Sequence, residues 1–130
     1  MTVSWRVKVV SGWWEERGCD FNSFDEAHVR FGRWIHSMGY ENCLKLREEV
    51  ERYLEARSIS ARLISDALRL FCGAIDVEVE YDEQVYRLLK EALEHATKTG
   101  EEDAVRSHAR SLMELIETAE RLKSNIICSG

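Results

Sequence analysis

Residues 75–81, Ile75-Asp76-Val77-Glu78-Val79-Glu80-Tyr81, and residues 5–9, Trp5-Arg6-Val7-Lys8-Val9, decide the fold. Each alternates apolar with charged side chains, the period of a strand with one buried face. The first stretch is acidic and the second basic, so a two-stranded ribbon would set opposite charges across from each other. Yet Val3, Val7, Val10 and Trp14 also fall at helical spacing, as do Val77, Tyr81, Val85 and Leu88. The β-branched content favours strand and the setting favours helix. We take helix for both, with the ribbon as the alternative.

The setting is helical because proline is absent from the chain, where about 5% is usual. Ser23-Phe24-Asp25-Glu26 forms a capping box. Phe24, His28, Phe31, Ile35 and Met38 follow at helical spacing, and Gly39 supplies a stop. A second helix carries Cys43, Leu46, Val50, Tyr53 and Leu54 on one face, with i,i+4 charge pairs on the other. Ser58 and Ser60 are caps for a third, from Ala61 to Cys72, with Ile64, Ala67, Leu68 and Phe71 inward. Asp82 starts a fourth, with the stripe Val85, Leu88, Leu89 and Ala92, and Gly100 ends it. The last runs from about Asp103 to Lys123, its stripe being Val105, His108, Leu112, Leu115, Ile116, Ala119 and Leu122. The expected fold is an all-α antiparallel bundle of four to five helices, with or without a short two-stranded ribbon, as one domain over residues 1–130.

The chain has 130 residues, 45% hydrophobic and 32% charged, which fits a globular domain with its own core. A net charge of −6 argues against non-specific nucleic-acid binding. Arg6 and Lys8 interrupt the apolar N-terminus, so no signal-peptide core is expected, and no apolar run is long enough to span a membrane. Cys19, Cys43, Cys72 and Cys128 form no CxxC pair and read as reduced thiols in a cytoplasmic protein.

Phe31-Gly32-Arg33-Trp34-Ile35, with Gly39 beyond it and Trp5 upstream, resembles the chemoreceptor zinc-binding domain over the first third of the chain. The resemblance implies a four-helix bundle in signal sensing. It does not bring the zinc ligands: the family's cysteine falls on Val29 and its first histidine on Thr2, and residues 55–65 hold no histidine. No zinc or other cofactor is therefore expected.

The residues also allow other chemistries. His28, Cys43 and His108 each lie on an apolar stripe, and imidazole and thiolate are good zinc ligands in bundle cores; the plainer reading is buried, hydrogen-bonded histidine and apolar-like cysteine. Arg30 and His36 match the loose spacing of a helical ribonuclease motif, though Phe31 stands where a polar residue is usual. Ala27-His28 before Gly32 resembles a phosphotransfer histidine, but bulky Trp34 and the apolar stripe oppose it. Trp13 and Trp14 point about 100° apart on any helix, so one of them suits an interface between subunits. The reading reached is a non-enzymatic sensory, regulatory or protein-interaction module. Its candidate binding residues are His28, Trp34 and His108. Its partner is a second copy, through Trp13 or Trp14, or another protein, with neither membrane nor nucleic acid. The alternatives are a ribonuclease using Arg30 and His36, and a metal-binding bundle around His28 and His108.

Overall fold

The computed structural model describes residues 1–8 and 32–130. The order of elements is β1 (Thr2–Val7), β2 (Ile35–Gly39), α1 (Tyr40–Ala56), α2 (Ala61–Leu68), β3 (Val77–Val79), α3 (Glu83–Thr99), α4 (Asp103–Leu122) and β4 (Ile126–Ser129). The four strands form one antiparallel sheet in the order β2-β1-β4-β3. The expected all-α bundle is thus corrected to a mixed fold, in which helices and sheet share one hydrophobic core.

The strand period wins in both deciding stretches. β1 lies between β2 and β4, so both of its edges are hydrogen-bonded, and Val3, Trp5 and Val7 turn into the core while Thr2 and Arg6 stay exposed. Local spacing does not reveal such distant partners, and they offset the helical surroundings. The basic and acidic stretches do meet, though not as neighbours. Lys8 Nζ reaches Glu78 Oε1 at 3.0 Å past β4, and Asn125 Nδ2, just ahead of β4, donates to Glu78 Oε2 at 2.8 Å. Asn125 Oδ1 also accepts from the Tyr81 amide at 2.7 Å, so one side chain closes this end of the sheet.

The predicted helix over 24–38 is overturned in its described part, where residues 35–39 are strand β2. Gly39 begins α1 as its N-cap instead of ending a helix. The capping box at Ser23 lies outside the described residues. Further along, the sequence reading holds more closely. α1 buries Cys43, Leu46, Val50 and Leu54. Asp82 caps α3 by accepting from the amides of Gln84 and Val85, and Gly100 is its C-cap. α4 buries Val105, Leu112, Leu115, Ile116 and Ala119, and Lys123, in the left-handed region at φ 51°, turns the chain into β4.

Two buried polar contacts tie the layers together. Trp5 Nε1 donates to the Leu70 carbonyl at 2.7 Å, fixing the end of α2 to the central strand. Tyr86 Oη lies 3.2 Å from the Val79 carbonyl and 3.1 Å from the Ser124 carbonyl, which share its one hydrogen, and it holds β3 and the α4–β4 turn to α3. Cys72 and Cys128 are joined by a disulfide, which corrects the expectation of four reduced thiols. It fixes the α2–β3 connection to β4. No helix among the described residues is long and apolar enough to cross a membrane.

Candidate functional site: a histidine pair between β2 and α4

The strand alternation that buries Met38 also turns His36 toward the helices. On α4, His108 lies beside the buried stripe of Val105, Ala109 and Leu112. The two meet. His36 Nε2 and His108 Nδ1 are 2.9 Å apart, with ring centroids 5.1 Å apart and planes tilted by 58°. Trp5, the register partner of His36 on β1, stacks over the His36 ring at 6.4 Å. Both histidines are half-buried.

The segment leading into β2 runs antiparallel to α4. Gly32 lies over Thr118 and Arg121, Arg33 Nε pairs with Glu114 Oε2 at 2.9 Å, and His36 reaches His108. Gly32 has φ +88°, and a Cβ there would stand 2.9 Å from Thr118 Oγ1 and 2.6 Å from Arg121 Nη2. Only glycine accepts both the left-handed backbone and this approach without strain. The Gly32-Arg33-Trp34 motif is accordingly an irregular lead-in that seats β2 on α4, not part of a helix.

The pair is held neutral. Burial, then the neighbouring His108, then Arg33, lower the His36 pKa to about 4, against an opposing pull from Glu114. Burial likewise lowers that of His108. One facing nitrogen must then carry the shared hydrogen and the other accept it, so the contact constrains the tautomers of both rings. The site can therefore hold or release protons. The ribonuclease alternative pairs His36 with Arg30, which lies outside the described residues.

Of the residues singled out from sequence, His36 and His108 are brought together. Trp34 is buried in the core. His28, Arg30, Trp13 and Trp14 lie outside the described residues. Cys43 is buried in α1, and burial pushes its thiol up to about 11, away from the thiolate that metal binding needs. Among the described residues no three His, Cys, Asp or Glu side chains are gathered to hold a metal ion. Sequence reasoning missed Arg33 and Glu114, which are 81 residues apart and have no local spacing to connect them. A scan against protein-family models returns no match, and searches of curated proteins and of solved structures return none.

Proposed function

We propose that this chain is a non-enzymatic regulatory module that responds to protons, with His36 and His108 as its titrating element. The observation that carries this reading is the 2.9 Å contact between two half-buried imidazoles on different elements. A first added proton can sit on an outer ring nitrogen and keep the shared hydrogen bond. A second places hydrogens on both facing nitrogens, which removes the bond and leaves two cations against each other. The charged groups around them are Arg33 from the lead-in to β2 and Glu114 from α4, while β1 contributes neutral Trp5. Arg33 adds repulsion, and Glu114 is already engaged by Arg33. The two histidines titrate as a coupled pair, below the ordinary value of about 6.5.

Nuclear magnetic resonance titration of the ring protons tests this. The expected result is two resonances that both titrate below the ordinary value, His36 near 4, with contacts from β2 to α4 weakening at the second step. Independent titration of both rings near 6.5 would overturn it. The cytoplasmic address expected from the sequence enters the proposal on the condition that Cys72–Cys128 resists the thiol pool. Alkylation of freshly lysed cells followed by mass spectrometry reads whether these two cysteines are blocked.

A further inference from the structure

Among the described residues β2 and β3 are the edges of the sheet, and they are built differently. β3 has three residues, carries Glu78 and is flanked by Asp76 and Glu80. The Glu78 carbonyl accepts from Arg69 Nη2 at 3.4 Å. A short, charged and capped edge resists pairing with another strand.

β2 has none of these protections. Its five residues, Ile35-His36-Ser37-Met38-Gly39, carry no acidic or basic group besides the neutral His36. The Val7 amide donates to the Trp34 carbonyl and the Tyr40 amide to the Met1 carbonyl, which sets the phase of the ladder. By the alternation of an antiparallel pair, His36 and Met38 bond toward β1, while Ile35 and Ser37 turn their N–H and C=O groups outward. Among the described residues no hydrogen bond meets those outward groups, and the Ile35 side chain beside them is 39% exposed.

We propose that the outer edge of β2 pairs with β2 of a second copy of this chain, antiparallel about a two-fold axis through Ser37. Charge favours a copy of itself at this strand. A chain of net charge −6 repels its copies over most of its surface, but β2 is neutral and its flanks are opposite in sign. Arg33 and exposed Glu41 stand four residues on either side of Ser37. The two-fold axis brings Arg33 of each copy to the end of the edge that carries Glu41 of the other, at both ends. The contact is isologous, so it closes at two copies and, among the described residues, leaves the protected β3 edges outside. This inference rests on the two edges and on Arg33 and Glu41 beside β2, and it does not require His36 or His108 to take up a proton.

Sedimentation of the full chain across a concentration series, at neutral pH, tests it. The wild type is expected to pass from monomer to dimer, with no larger species. Ser37→Pro removes the outward N–H and leaves the β1 ladder in place; it is expected to weaken association at least tenfold with an unchanged circular dichroism spectrum. Should that variant not fold, Glu41→Arg, at an exposed helix position, is expected to weaken association several-fold. A monomer at all concentrations overturns the proposal, as does association unaffected by Ser37→Pro or Glu41→Arg. So does slow amide exchange at Ile35 and Ser37 in the monomer, which would mean that the chain's own residues cover the edge.

Discussion

His36 and His108 are 72 positions apart in the chain, and their facing ring nitrogens are 2.9 Å apart in the fold. This contact joins edge strand β2 to helix α4, so the protonation of two rings is coupled to how β2 sits on α4. Its consequence for stability has a definite sign. The folded pKa of His36, about 4, lies below the unfolded value, about 6.5. Between those limits the unfolded chain binds more protons, so stability is fully present above about pH 6.5 and is lost as pH falls toward 4. With His36 half-exposed, solvent screening reduces the effect to about 1–2 kcal/mol. Urea unfolding of the wild type and of His36→Gln/His108→Gln at pH 7.5 and pH 4.5 should show a larger acid loss in the wild type. Equal losses would contradict the assignment.

Trp5→Phe keeps most of the ring volume and removes the donor to the Leu70 carbonyl, which is then left buried without it. The expected cost is about 1–3 kcal/mol, measured as a shift in the urea midpoint at constant slope.

Gly32→Ala should destabilise by about 1–3 kcal/mol. The left-handed φ of +88° and the 2.9 Å approach to buried Thr118 oppose the new methyl group. Because Arg33 and His36 follow directly, the same variant should raise the pKa of His36 toward its ordinary value as the seat on α4 loosens. A variant with wild-type stability would show that the lead-in is not fixed by glycine.

Cys72→Ser should lower stability by about 4 kcal/mol, the chain-entropy value for a loop of this length. The disulfide closes 56 residues that include β3, α3 and α4. Thermal unfolding of the variant, compared with wild type with and without reductant, checks it. A wild type whose transition is the same in both conditions would show that the bridge carries no stability.

Periodicity in the sequence identified α1, α3 and α4, with their buried stripes, because a helix closes its hydrogen bonds within itself and its stripe is written every three or four residues. The Asp82 cap and the Gly100 end of α3 were legible for the same local reason. The strands were not. β1 alternates as a strand should, but what makes it one is β2 on one side and β4 on the other, and β4 comes from the last residues of the chain. Ile126-Ile127-Cys128-Ser129 is too short to announce itself. Residues 35–39 continue a helical spacing on paper, yet their backbone groups bond to β1.

The site follows the same division. The sequence by itself marked His36 and His108 as residues to consider, and it placed His108 on the α4 stripe. Only the tertiary structure put one against the other, set Arg33 on Glu114, and joined Cys72 to Cys128. Local spacing determines which face of an element is apolar. Pairing across the sheet and between layers depends on the free energy of contacts dozens of residues apart, which no local period encodes.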